Sequence, residues 1–226
     1  RGLLNPHNFL ALANQADLVA EIDAQVQQSA LQQAAAWRDA GFNLLLSINC
    51  SSVQIESADF LPKFESMCAE AGYPLDRLQL EITEQTLVRQ VESAAPNIQS
   101  LRAKGVRVAI DDFGMGYSSL TYLRQFPVDV LKIDRTFIQD IQTLDQARVG
   151  VSLADAIIAM AKSLGLALIA EGVEYPAQIS YLRQQACDTA QGFLFSEPCN
   201  AAQMQRLLDE GSFAHLLAAA PPIEKS

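Results

Sequence analysis

Short apolar runs alternate with longer amphipathic segments along most of the chain. Several of the runs are continuous, without a polar residue at every second position, and each is followed by polar residues. Such runs indicate strands buried on both faces, and the amphipathic segments indicate helices packed against a parallel sheet. The predicted strands are 44–48, 78–82, 106–110, 128–131 and 166–170, with a short strand and turn at 189–195. The predicted helices are one or two within 9–40, then 60–71, 90–104, 118–125, 151–164, 176–185 and 201–219.

This strand–helix rhythm predicts an α/β fold, either a TIM-like (β/α) barrel or an open doubly wound sheet. A barrel of this kind has eight strands, so its first one or two strands are expected upstream of residue 1. The chain has 226 residues, half of them apolar, which suffices for one large core. We therefore expect one domain over residues 1–220, followed by a disordered tail at 221–226.

Charge and cysteine usage narrow the class of protein. The net charge of -10 argues against a nucleic-acid polymer or an anionic membrane as partner. A small phosphate ligand is compatible with it, because a bound metal reverses the local sign. The four scattered cysteines are typical of reduced thiols, and neither a signal peptide nor a membrane-spanning run is evident. We expect a cytoplasmic protein, or the cytoplasmic domain of a membrane-anchored one.

Polar residues follow every predicted strand. In a parallel α/β fold the carboxyl ends of the strands form the ligand-binding edge, so these side chains are expected at one mouth. In chain order they are Asn49, Glu81 with Glu84, Asp111 with Asp112, Lys132 with Asp134, Glu171 with Glu174, and Gln191.

The adjacent pair Asp111 and Asp112 predicts a metal site, since two neighbouring carboxylates repel unless a cation lies between them. The alternative is that one caps a turn while the other faces water. Only two histidines are present, so oxygen ligands and a hard cation such as Mg²⁺, Mn²⁺ or Ca²⁺ are expected. A two-metal site of this type suits phosphoester hydrolysis.

Other strand-end residues have simpler alternatives as well. Asn49 could cap a helix, Glu84 and Glu174 could be solvated turn residues, and Gln191 could be a core hydrogen-bonding residue. Glu81 and Lys132 lie inside apolar strands, where a charged side chain needs a partner.

Several motifs, in order, resemble those of the EAL domain family, the cyclic di-GMP phosphodiesterases of bacteria. They cover nearly the whole chain. They are Arg1 to Pro6 with Phe9, Ser47-Ile48-Asn49, Glu81-Ile82-Thr83-Glu84, Asp111-Asp112-Phe113-Gly114 with Gly116-Tyr117-Ser118-Ser119-Leu120, Lys132-Ile133-Asp134, Ala170-Glu171-Gly172-Val173-Glu174, and Gln191-Gly192 with Phe195 and Pro198.

The resemblance implies a TIM-like barrel that hydrolyses cyclic di-GMP to linear pGpG with Mg²⁺ or Mn²⁺. It implies one metal held by Asn49, Glu81 and Asp111, and a second surrounded by Asp111, Asp112 and Glu171. Lys132 would lie beside the nucleophilic water or a phosphate oxygen. Gln191 would order water near the metals.

The resemblance also implies supporting residues and partners. Glu84 would brace the loop from Asp112 to Leu120, which would contribute to a homodimer interface, while Asp134 and Glu174 would support the site. The namesake Glu-Ala-Leu motif is expected before Arg1, and sensor or GGDEF-type domains are expected in the parent protein.

Two other functions fit parts of the sequence. A non-catalytic cyclic di-GMP receptor would share the fold, but retention of the ligand residues favours the enzyme. A sugar-directed barrel enzyme acting through paired carboxylates explains neither Lys132 nor the adjacent aspartates.

Overall fold

The structure is a computed structural model, and it describes residues 9–16, 18–89, 91–114, 126–139, 141 and 153–211. Three sequence predictions therefore lie outside the described residues. They are the helix at 118–125, the end of the last helix beyond residue 211, and the tail at 221–226.

Helices and strands alternate through the described residues, as the apolar pattern predicts. The strands are β1 Leu46–Asn49, β2 Leu78–Thr83, β3 Arg107–Phe113, β4 Val130–Ile133, β5 Ala167–Ala170 and β6 Thr189–Ala190. The helices are α1 Leu10–Gln15, α2 Val19–Asp39, α3 Ser52–Ile55, α4 Phe60–Ala71, α5 Glu84–Arg89, α6 Val91–Ala103, α7 Arg135–Gln139, α8 Leu153–Ser163, α9 Pro176–Gln184 and α10 Ala201–Glu210.

The chain groups into two compact units, Arg1–Val108 and Ala109–Ser226. In the first unit β1 and β2 pair in parallel, with Leu46 opposite Leu78 and Asn49 opposite Glu81. Helix α2 packs against β1 and α4. The largest fully buried side chains of this unit include Leu31, Ile55, Phe64 and Leu80.

Helix α4 shows how the sequence specifies an element. Phe60, Phe64 and Cys68 recur every four residues and form its buried face. Gly72 then adopts a left-handed conformation, with φ of 65°, and ends the helix. The predicted bounds of 60–71 are confirmed.

In the second unit β3, β4, β5 and β6 pair in parallel in chain order. Helix α8 packs against β4 and β5, and α7 packs against α8. The fully buried side chains Leu131, Ile133 and Ile138 belong to this unit's core. The parallel arrangement places the carboxyl ends of its strands on one edge of the sheet.

The short strand and turn predicted at 189–195 are confirmed as strand β6 at Thr189–Ala190 and a turn in which Phe195 N donates to Gly192 O. One predicted helix differs from the structure. The helix predicted at 90–104 is preceded by α5, which begins at Glu84. None of the described helices combines the length and the apolarity that crossing a bilayer would need.

The cysteines are predicted to differ strongly in reactivity. Cys199 is exposed, whereas Cys50 and Cys68 are buried. Burial, together with the nearby Glu65 carboxylate, raises the pKa of the Cys68 thiol to about 11. Because the thiolate is the reactive form, iodoacetamide at pH 8 should modify Cys199 first in the native chain. Peptide mass spectrometry over time measures the modification rate of each cysteine. Equal modification rates for Cys68 with and without urea would contradict the prediction.

Candidate functional site

Four polar side chains lie on one face of the β1–β2 pair in the first unit. Ser47 and Asn49 are two positions apart on β1, so their side chains point to the same face. Their register partners on β2 are Gln79 and Glu81. Ser47 Oγ donates to Glu81 Oε1 at 2.5 Å, and Gln79 Nε2 donates to Ser47 Oγ at 3.0 Å. Glu81 is 8% exposed, so its carboxylate is held in a fixed orientation beside Asn49.

The second unit contains a cluster of three carboxylates. Asp111 and Asp112 come from the end of β3, and Glu171 follows β5. One oxygen from each lies within 4.8 Å of the others. This group has the number and the kind of oxygen ligands that a hard divalent cation binds.

An irregularity in β3 explains how two consecutive residues contribute to one cluster. Successive side chains of a regular strand point to opposite faces. Here the register of β3 against β4 shifts between Ile110 and Phe113, and Asp112 has a positive φ of 53°. Such a backbone conformation costs about 1 kcal/mol or more for a residue with a side chain. The bulge brings both carboxylates together, and Asp112 N–H donates to Asp111 Oδ1 at 3.1 Å.

Lys132 forms ion pairs with two carboxylates of this cluster. Its side chain is 4% exposed, and Nζ lies 2.8 Å from Asp111 Oδ1 and 2.7 Å from Glu171 Oε1. A lysine inside an apolar strand is predicted to need an anionic partner, and Lys132 has two. The three carboxylates still exceed the one ammonium group, so the cluster retains net negative charge.

The pKa of the Asp112 carboxyl is raised above its ordinary value. Partial burial is the main cause, followed by the charges of Asp111 and Asp134, while Lys132 and Arg135 act in the opposite direction. A divalent cation would relieve this repulsion. The donor chemistry of Asp111, Asp112 and Glu171 therefore fits a metal ion.

Three other predicted residues lie in the second unit. Asp134 caps α7, where its Oδ1 accepts hydrogen bonds from Thr136 N at 2.9 Å and Thr136 Oγ1 at 2.6 Å. Gln191 is exposed, and its backbone joins the loop after β5 through contacts with Ala170 and Val173. Glu174 is exposed on that loop.

Glu84 is buried at the start of α5. The loop from Asp112 to Leu120 that it is expected to brace is described only as far as Gly114. Its bracing role, and the dimer contact expected for this loop, stay predictions. So do the individual catalytic and metal-binding roles given above.

Gln178 is a supporting residue that the sequence reasoning missed. It is fully buried on α9, and its Oε1 accepts from Glu174 N at 2.7 Å and Tyr175 N at 2.9 Å. Its Nε2 donates to Ile138 O at 2.9 Å, so it links the loop after β5 to α7. The signal was weak, because a glutamine in a helix gives no hint of such partners.

Replacing Gln178 with leucine is predicted to destabilise the chain by about 2–4 kcal/mol. Leucine keeps most of the volume, but it leaves two backbone N–H groups and one carbonyl without this partner. Urea unfolding measures the loss, with the exposed Gln184→Leu on the same helix as a control. Equal midpoints for the two variants would refute the role assigned to Gln178.

The chain is similar in sequence to known proteins over most of its length. The chain matches the EAL domain family over residues 1–198. It is 38% identical over 224 residues to cyclic di-GMP phosphodiesterase NbdA of Pseudomonas aeruginosa, covering 99% of this chain and 28% of NbdA. It is 35% identical to cyclic di-GMP phosphodiesterase PdeR of Escherichia coli, covering 91% of this chain and 31% of PdeR. The chain thus spans less than a third of the length of these relatives.

Solved structures give the same result. A c-di-GMP complex of PaMucR phosphodiesterase has a TM-score of 0.82 and 35% identity, covering 90% of this chain and 82% of that one. The EAL domain of Mycobacterium smegmatis DcpA has a TM-score of 0.75 and 38% identity, covering 86% of each chain. The predicted fold class, a TIM-like (β/α) barrel, is confirmed by these matches. With its motifs matched in order over residues 1–198, the chain belongs to the EAL domain family.

Proposed function

We propose that this chain is a metal-dependent phosphodiesterase that hydrolyses cyclic di-GMP to linear pGpG in bacterial second-messenger signalling. The observation that carries the proposal is the buried Lys132 held between Asp111 and Glu171, with Asp112 in the same cluster. The names of NbdA and PdeR and the c-di-GMP complex of PaMucR support the choice of substrate.

The metal ligands in this proposal are Asn49, Glu81, Asp111, Asp112 and Glu171. All provide amide or carboxylate oxygens, which suit Mg²⁺ or Mn²⁺ better than a softer metal. When bound, such ions supply an activated water and charge neutralisation at a phosphodiester.

Two protein groups prepare these ligands before any substrate arrives. Ser47 donates to Glu81 Oε1 and so fixes the orientation of that carboxylate in the first unit. In the second unit, the Lys132 ammonium fixes one oxygen of Asp111 and one of Glu171. Preorganised groups lower the cost of reorganisation when the substrate reacts.

Lys132 has a second role in the proposal. Its ammonium group is shielded from bulk water, so a hydrogen bond from it to a phosphate oxygen or to the attacking water would be strong. Gln191, which is exposed directly after β6, is proposed to order water nearby. Asp134 and Glu174 support the loops that carry these groups.

The setting of this activity is also proposed. The four cysteines are free, which supports a reducing compartment such as the cytoplasm. A homodimer contact through the loop from Asp112 to Leu120, and sensor or GGDEF-type domains in the parent protein, belong to the same proposal.

An assay of cyclic di-GMP hydrolysis, in which the product pGpG is identified by chromatography, tests the proposed function. The parent protein, including the segment expected upstream of Arg1, and its Glu81→Ala variant are assayed with Mg²⁺, with Mn²⁺ and with EDTA, and Glu56→Ala controls for loss of a carboxylate. We expect metal-dependent pGpG formation that is lost only in Glu81→Ala. Tight binding of cyclic di-GMP by the wild type without any turnover would establish a receptor and refute the enzyme.

A further inference from the structure

Helix α2 presents two polar side chains to the loop that follows β1. Asp23 and Gln27 are four residues apart, so they lie on the same face of the helix. Asp23 Oδ2 accepts a hydrogen bond from Ser51 N at 3.3 Å, and Gln27 Nε2 donates to Asn49 O at 2.9 Å. One helix face therefore contacts the backbone on both sides of Cys50.

Gln27 also joins this loop to the next helix. Its Nε2 donates to Gln54 Oε1 at 2.9 Å, and Gln54 Nε2 donates to Gln27 Oε1 at 3.3 Å. Gln54 lies on α3, whose N-cap is Ser51. The two amides thus connect α2, the end of β1 and the start of α3 in one hydrogen-bond network.

The location of Gln27 is unusual for a polar residue. It is 1% exposed, and the other buried residues of α2 are Leu31, Ala34 and Ala35. Burying an amide is unfavourable unless its hydrogen bonds are made, whereas leucine at this position would pack without that requirement. The residue is therefore better explained by the contacts that it makes than by the space that it fills.

The strand end held by this network carries Asn49. The backbone carbonyl of Asn49 is the acceptor for Gln27, and the Asn49 side chain lies beside Glu81 on the adjacent strand. Cys50 N also donates to Glu81 O at 2.9 Å, so the loop is tied to β2 as well. A shift of the loop would move the Asn49 amide relative to Glu81.

We infer that Asp23 and Gln27 are positioning residues that fix the backbone at 49–51 and thereby orient Asn49 for metal binding. The inference rests on the proposed function, because it takes Asn49 as a metal ligand. Neither residue touches the metal or substrate in this account. Groups that orient metal ligands typically change metal affinity or activity by about 10-fold to 100-fold when they are lost.

A cavity next to the network determines which substitutions are informative. Gln27 and Gln54 line a cavity of about 340 Å³ together with Phe60, Phe64 and Met67. A truncation such as Gln27→Ala would open this space to water, which could replace the lost hydrogen bonds. Gln27→Leu keeps the volume and removes the bonds, so it is the cleaner variant.

Binding of Mn²⁺ to the parent protein, measured by isothermal titration calorimetry, tests the inference. Gln27→Leu and Asp23→Leu are each expected to raise the Mn²⁺ dissociation constant about tenfold. Asp23→Asn retains a side-chain oxygen that can accept from Ser51 N, so it should stay within about twofold of the wild type. Gln28→Leu, at the exposed neighbouring position of α2, is the matched control and should not change the constant.

Hydrogen exchange at Ser51 and the kinetic constants separate positioning from a merely structural role. Positioning predicts faster exchange at Ser51 in Asp23→Leu, and a lower kcat at saturating Mn²⁺ with little change in KM for cyclic di-GMP. Unchanged Mn²⁺ affinity in Gln27→Leu, beside a wild type that binds Mn²⁺ and hydrolyses cyclic di-GMP, would overturn this inference alone. A wild type that neither binds Mn²⁺ nor hydrolyses the dinucleotide would overturn the proposed function, and the inference with it.

Discussion

Replacing Lys132 with methionine is expected to lower kcat for cyclic di-GMP hydrolysis by about a hundredfold or more. The ammonium group lies within 2.8 Å of Asp111 and 2.7 Å of Glu171, in a site where water does not screen it. Methionine has a similar stem but no charge and no donor, so it cannot stabilise a developing negative charge on the phosphate. Quantification of pGpG at saturating Mn²⁺ measures the effect.

Metal binding should respond differently from turnover in this variant. Removing one positive charge keeps the three carboxylate ligands and makes the cluster more negative, so Mn²⁺ binding is expected to persist. Lys104→Met is the control, because Lys104 pairs with Glu65 at 3.0 Å on a partly exposed surface. Surface pairs of this kind contribute about 1 kcal/mol or less. A Lys132→Met rate within threefold of the wild type would contradict the role given to Lys132.

Replacing Gly192 with alanine is expected to destabilise the chain by about 3 kcal/mol. A Cβ atom at this position would lie 2.2 Å from both the backbone nitrogen and the backbone oxygen of Val173. Backbone atoms cannot rotate away as a side chain can. The loop carrying Gln191 would therefore separate from the loop after β5, and the contact of Val173 N with Gln191 O would weaken.

Gly165→Ala is the matched control for this change. Gly165 has a positive φ of 71°, but a Cβ atom there would meet nothing within 4 Å. Its substitution should cost about 1 kcal/mol, from backbone strain alone. Urea unfolding of both variants compares the two costs, and equal losses of stability would show that the close contact at Gly192 does not matter.

The hydrophobic pattern was sufficient to predict the elements with many local signals. Helix α4 was predicted to the residue, because three apolar residues at a spacing of four precede a glycine that ends the helix. The short helices α3 and α7 were missed, since four or five residues are too few to show a period. The short strand and turn at 189–195 were predicted correctly, but their backbone contacts with Val173, a residue distant in sequence, were not predicted.

The candidate site was only partly predictable for similar reasons. The strand-end residues could be read from the sequence, and the partners required by Lys132 followed from its apolar surroundings. Ser47 and Gln79 carried a usable signal, since they lie two positions before Asn49 and Glu81 on neighbouring strands. The positive φ of Asp112 could not be predicted, because nothing in the local sequence requires it.

The buried glutamines show what local sequence cannot provide. Gln27 and Gln178 hydrogen-bond to backbone groups 22 and 40 residues away, at Asn49 and Ile138. Their helices would look equally regular with leucine at either position. Tertiary structure was needed to see that each glutamine fixes a loop beside predicted site residues.

The central claim is that the oxygen ligands of this chain bind divalent metal in order to hydrolyse cyclic di-GMP. The most direct test measures bound Mn²⁺ and pGpG production in the same sample, starting from the EDTA-treated parent protein and adding Mn²⁺ stepwise. We predict no hydrolysis without metal, a rate that rises as Mn²⁺ binds, and loss of both binding and rate in Glu171→Gln. Hydrolysis that persists without metal, or a rate that does not follow bound Mn²⁺, would contradict the account.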